Sequence, residues 1–296
     1  MSHQHHGHHH HHDVKNIKIA FFLNLSFTII ELVGGVFVNS VAILSDAVHD
    51  LGDSLSLGLS WYFQKISKKG RSKTFSYGYK RFSLLGAIIN SIVLVVGSIF
   101  IITETIPRLM NPVQPDAQGM LYLAILGVIV NGATVFRLQK GESLNEKVVS
   151  LHLLEDVLGW VAVLIASIVM LFIEIPILDP ILSLFIAAFI LFNVFKNLKE
   201  SFKIILQANP LDLNETRIKD SLSKIEGVCD AHDMHSWTMD GSYHVMTIHL
   251  VVRDNIPINL YSKIKTDARK ILKAQKFNHI TIEVESESEV CELIDC

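Results

Sequence analysis

Two stretches of otherwise apolar sequence each carry a histidine followed four residues later by an aspartate: His49 with Asp53, and His152 with Asp156. On a helix that spacing puts both side chains of a pair on one face. Two such faces opposed supply two imidazoles and two carboxylates, a tetrahedral donor set suited to Zn²⁺. Each donor must be deprotonated to bind, so metal and protons compete for the same atoms. A carrier that exchanges one for the other follows from that competition. The pairs could instead bind each other, or relay protons without metal. The repeated spacing, and a histidine-rich run at residues 1–13, favour metal. Hydrolytic zinc chemistry is disfavoured, because no H-E-x-x-H pattern occurs and two complete pairs close the coordination shell.

The elements that hold these residues are dictated by composition. Half of the 296 residues are apolar and the mean hydropathy is positive, which points to several membrane spans plus a modest soluble part. A net charge of -3 gives no reason to expect nucleic acid as a partner. Runs of the ~20 apolar residues needed to cross a bilayer fall near residues 17–38, 41–63, 82–106, 120–138, 148–172 and 177–195. The sequence therefore predicts an all-α bundle of six transmembrane helices over residues 14–200, after a His-rich flexible tail over 1–13. That tail reads as native rather than as a purification tag, because it is interrupted by Gln4 and Gly7 and runs directly into Asp13-Val14-Lys15.

A charge at the centre of a membrane helix costs roughly 2.5–3.5 kcal/mol, so intramembrane charges are expected to be functional. Asp46 and Asp50 lie beside His49 and are assigned supporting roles, as ligand orienters or proton relays. Asn24, Glu31, Asn90, Glu104 and Asn131 are candidates for hydrogen bonds between helices.

The basic residues Lys65, Lys68, Lys69, Arg71, Lys73, Lys80 and Arg81 all fall between the second and third spans. By the positive-inside rule that loop and both termini are cytoplasmic. From Ser201 onward charges become frequent, and short alternating runs predict strands at 235–239, 244–252 and 279–284 between amphipathic helices at 214–225 and 260–274. Helix, strand, strand, helix, strand implies a small α+β domain over 201–296, with an antiparallel sheet covered on one face. Three late cysteines, Cys229, Cys291 and Cys296, suit a reduced compartment better than a disulfide framework.

The stretch from Asn39 to Asp53, with Glu31-Leu32-Val33-Gly34-Gly35, Tyr77-Gly78-Tyr79, Val130-Asn131-Gly132, His152 with Asp156, and Val228 to Trp237, resembles the cation diffusion facilitator family over essentially the whole chain. The resemblance implies six spans, a ferredoxin-like cytosolic domain, a homodimer in the cytoplasmic membrane, and metal efflux driven by inward proton flow. It places the transport site on His49, Asp53, His152 and Asp156. A histidine at the first of these positions is similar to the zinc-preferring branch, with Cd²⁺, Co²⁺, Fe²⁺ and Mn²⁺ as alternatives, or a metal sensor that does not transport. It further implies a cytosolic metal site on His232 and His249, with Glu285 as third ligand and Glu283 or His279 as rivals. Cys291 and Cys296 resemble a terminal cysteine pair of some members, at wider spacing. The loop from Lys65 to Lys73 lacks the Asp and His that form an extra metal site in others, so none is expected there.

Overall fold

The computed structural model describes the backbone of residues 9–138, 144–210 and 213–289, and the side chains of 21–59, 61–136, 154–210 and 213–289. Residues 1–8 and the side chains of the rest of the histidine-rich tail, the side chain of His152, and Cys291 and Cys296 lie outside the described residues. The chain divides into two compact units. One runs through Phe63 and resumes at Leu85–Leu198; the other combines Gln64–Leu84 with the chain from Lys199 onward.

The first unit is built from α1 (His9–Phe37), α2 (Val41–Ser67), α3 (Phe82–Met110), α4 (Ala117–Leu138), α5 (Leu144–Phe172) and α6 (Leu178–Ile205), with the last turn of α2, the first residues of α3 and the end of α6 belonging to the second. Among the described residues, four helical stretches are long and apolar enough to cross a membrane: Phe82–Met110, Ala117–Phe136, Leu154–Phe172 and Leu178–Ile205. The described apolar part of α1, Phe21–Phe37, is shorter, and α2 is interrupted by Asp46, Asp50 and Asp53. The burial pattern is inverted relative to a soluble protein. Phe100, Phe185 and Phe192 face outward, while Glu31, Asp50, Thr105 and Ser183 are fully enclosed. Lipid rewards that arrangement, because a polar group facing hydrocarbon has no partner there.

Three residues, Val38, Asn39 and Ser40, separate α1 from α2. Asn39, at φ 56°, occupies the left-handed position that ends a helix. The Ser40 N–H donates to the Gly35 carbonyl at 3.0 Å and the Asn39 N–H to Val36 at 3.2 Å, the paired bonds of a Schellman cap. Ser40 then caps α2, its hydroxyl accepting from Ile43 N–H at 3.1 Å. The remaining orphan donors of α2 turn to Asp179 of α6, whose carboxylate accepts from Val41 N–H at 2.9 Å and Ala42 N–H at 3.2 Å as well as from the Ser40 hydroxyl. Thus one buried acid on α6 fixes the start of α2.

Helix α5 is anchored one turn beyond Asp156 by Trp160. Its indole is fully buried, meets Phe27 of α1 edge-on at 5.5 Å, and lies against Gly127 of α4, where a Cβ would come within 2.2 Å of the ring. Only glycine admits that approach.

The second unit carries α7 (Glu215–Leu222), β1 (Val228–Thr238), β2 (His244–Val252), α8 (Ile258–Ala274) and β3 (Phe277–Ser286). Ile218 and Leu222 of α7, and Ile264, Ala268 and Leu272 of α8, pack on Met246, Ile248, Leu250 and Val252 from one face of β2. The sheet order is β1-β2-β3. It differs from the all-antiparallel expectation, since β1 and β2 are antiparallel but β2 and β3 are parallel. The physical reason is α8, which carries the chain back along the sheet, so β3 begins at the same end as β2. The alternate residues of the strands, including His249, Glu283 and Glu285, project from the face the helices leave open.

Candidate metal centres

In the membrane unit, the turn from His49 to Asp53 on α2 faces Asp156 on α5. His49 Nε2 stands 3.7 Å from Asp53 Oδ2 and 3.5 Å from Asp156 Oδ1. Ligand atoms of these three residues all lie within 4.8 Å of one another, the spread expected of donors around one ion bound at ~2 Å. His49 and Asp53 are mostly buried and Asp156 almost wholly so. His152 occupies α5 one turn before Asp156. Glu155, its sequence neighbour, is exposed and takes no part.

Around this trio the structure gathers further acids. Glu31 and Asp50 are entirely enclosed and Asp46 nearly so. Asp46 reaches α5, with Oδ1 3.7 Å from where a Cβ on Gly159 would be. Of the residues expected to bond between helices, Asn24 does so, donating to the Asp50 carbonyl at 3.3 Å and to Ser54 Oγ at 3.2 Å. Glu104, by contrast, is exposed.

The second cluster lies on the open face of the sheet. Register places His232 directly opposite His249, with ring centroids 5.5 Å apart. Glu285 joins them: one oxygen is 2.6 Å from His249 Nδ1, the other 3.4 Å from His232 Nε2. These three also lie within 4.8 Å of one another. Glu283 reaches His249 at 3.6 Å but is largely exposed, and His279 stacks edge-on with Tyr77 at 5.2 Å instead. The geometry therefore groups Glu285, rather than its rivals, with the two histidines.

Asp233 is the residue that sequence reasoning overlooked. It stands 3.4 Å from His249 Nε2 and 2.8 Å from His235 Nε2. The reason lies in the backbone: a bulge between His232 and His235, with Asp233 at φ 45°, turns its side chain toward the cluster against simple alternation. The run His232-Asp233-Met234-His235 was the available signal.

Outside the clusters, Asp240 organises the β1–β2 turn. Burial pushes its carboxyl up, but the N–H groups of Ser242 and Tyr243, the Ser242 hydroxyl and the charge of Lys80 outweigh that and hold it below the usual aspartate range.

Residues 17–206 match the cation efflux transmembrane domain, and 210–287 the cation efflux protein cytoplasmic domain. The chain belongs to the cation diffusion facilitator family. Within that family it is similar to a cadmium, cobalt and zinc/H(+)-K(+) antiporter of Bacillus subtilis, with 31% identity covering 97% of this chain and 93% of the relative. It is likewise similar to the metal cation efflux system protein CzcD of Cupriavidus metallidurans (31% identity, 92% and 86% covered) and to the zinc transporter ZitB of Yersinia pseudotuberculosis (32%, 95% and 90%). This cation diffusion facilitator is a multi-pass membrane transporter of the zinc/cadmium/cobalt efflux branch, not an enzyme.

Proposed function

We propose that this transporter exports Zn²⁺ from the cytosol in exchange for protons. One observation carries the reading: His49, Asp53 and Asp156 converge inside the membrane unit with ligand spacing, in a setting where unpaired charge is costly. His152, one helical turn from Asp156, supplies the fourth donor and completes a tetrahedral shell. Protons arriving at these atoms displace the metal, and loss of the protons on the other side reloads the site. Cd²⁺ and Co²⁺ are the alternative cargoes, since the same donors accept them and two of the relatives bear those names or that of a general metal efflux protein.

The remaining organisation belongs to the same proposal. Six spans over 14–200 follow a His-rich tail over 1–13 and precede a cytosolic domain over 201–296, with both termini on the cytoplasmic side of the cell membrane. The helix-strand-strand-helix-strand order is what a ferredoxin-like fold leaves when its first strand is absent. In that fold the missing strand separates the two strands that here pair in parallel. The cytosolic domain joins two copies into a homodimer, and Zn²⁺ at His232, His249 and Glu285 has a structural or regulatory role there.

The test is flux in proteoliposomes with an imposed pH gradient, comparing Zn²⁺ with Cd²⁺, Co²⁺, Mn²⁺ and Fe²⁺. Zinc accumulation that tracks the gradient is expected. Flux indifferent to the gradient would remove the exchange mechanism. A protein that binds Zn²⁺ but never moves it would instead be a sensor.

A further inference from the structure

We infer that the loop between α2 and α3 is a binding surface for anionic phospholipid headgroups. Between Asp53 and Glu104 the sequence has no acidic residue, but it has seven basic ones. Lys68, Lys69, Arg71 and Lys73 are all exposed, and none of these four forms an ion pair among the described residues.

These cations are carried on an ordered scaffold. Ser72 N–H and Gly78 N–H both donate to the Phe75 carbonyl at 3.0 Å, and Phe75 N–H donates to Ser72 Oγ at 3.1 Å. Gly78 adopts φ 77°, and a Cβ there would stand 2.9 Å from the Lys69 carbonyl oxygen, so the two limbs of the loop touch backbone to backbone. Phe75, Tyr79 and Phe82 stack beneath the tip with centroids 4.8–5.6 Å apart. Phe82 is also the first residue of a helix apolar enough to span the membrane from that point. Arg81 immediately precedes that helix, and the Tyr79 N–H donates back to the Lys69 carbonyl at 3.4 Å, which brings the earlier limb of the loop to within three residues of the start of the helix.

Basic residues at such a position feel the negative potential of an anionic leaflet, which decays within about 10 Å. A preordered loop loses little conformational freedom on meeting it. A soluble phosphate is a poorer fit, because it needs donors converging in a pocket, whereas these four side chains are exposed. Cations spread over an exposed loop tip suit a plane of many phosphates.

The experiment places the full-length protein in phosphatidylcholine bilayers containing trace spin-labelled phosphatidylglycerol or spin-labelled phosphatidylcholine, and measures the protein-restricted fraction of each. A preference for phosphatidylglycerol is expected. It should fall by roughly fivefold or more when Lys68, Lys69, Arg71 and Lys73 are all changed to Gln, persist when the three lysines are changed to Arg, and weaken in high salt. Salt titration of the unmodified protein needs no variant to fold. The inference is overturned by equal restriction of the two lipids, by a preference that survives the Gln substitutions or high salt, or by inorganic phosphate displacing the lipid beyond its ionic-strength effect.

Discussion

His232 and His249 stand opposite each other across β1 and β2, and the Glu285 carboxylate from β3 spans both imidazoles. Each strand contributes one donor, so an ion bound there would tie together the whole sheet. Zn²⁺ at a hundredfold excess over its dissociation constant should then stabilise the cytosolic domain by about 2.7 kcal/mol. His249→Ala or Glu285→Ala should remove that stabilisation and lower the bound zinc per chain, measured by thermal unfolding and elemental analysis. Unchanged zinc content in both variants would dismiss the site.

In the membrane unit, Asp53→Ala and Asp156→Ala should each abolish Zn²⁺ flux in proteoliposomes while the protein stays monodisperse. Each substitution deletes a proposed ligand and removes a carboxylate that stands beside His49. Glu155→Ala, altering an exposed acid beside the site, should leave flux near normal. Equal loss in all three would mean that α5 is sensitive to any change rather than specifically to its ligand.

Asp179→Ala should destabilise the bundle by about 2–4 kcal/mol, combining a lost cap with lost hydrogen bonds to a charged acceptor. Thermal denaturation in detergent reads this directly. Asp179→Asn, which keeps one acceptor oxygen, should fall between the two. If alanine were as stable as aspartate, the bonds to Val41 and Ala42 would carry no weight.

The Asp240 turn should respond to acid. A carboxyl held below its ordinary range in the folded protein stabilises the fold fully above the unfolded value, and that contribution disappears as pH falls through the folded value. Hydrogen exchange at the Ser242 and Tyr243 amides should therefore be slow near neutrality. After correction for intrinsic rates, it should lose protection in strong acid. Asp240→Ala should show low protection at every pH. A variant with the wild-type pH profile would assign the effect to another group.

What the sequence could and could not reveal has a physical basis. The four-residue spacing of His49 and Asp53 is a local property of a helix, readable without any fold. That α2 meets Asp156 on α5 depends on the packing of Trp160 against Gly127 and Phe27, which no periodicity encodes. The strands at β1 and β3 extend beyond their predicted cores, because residues such as Ala231 and Phe277 pair in the sheet outside the alternating runs. The parallel pairing of β2 with β3 was missed because alternation reports which face is buried, not which way a neighbour runs. Asp233 escaped for a related reason: a bulge changes the phase of alternation without leaving a sign in the residue types. Asp179 stands in the first turn of α6, where local sequence offers no sign of its role, since its partners lie nearly 140 residues away.

The tie between Asp179 and the first turn of α2 turns that helix into a lever with its fulcrum at one end. At 1.5 Å per residue, His49 sits about 14 Å along the lever from Ser40, and Ser67 about 40 Å. Any tilt about the pinned end therefore swings the tip roughly three times as far as the histidine. A wide excursion at the Ser67 end would thus displace His49 only slightly.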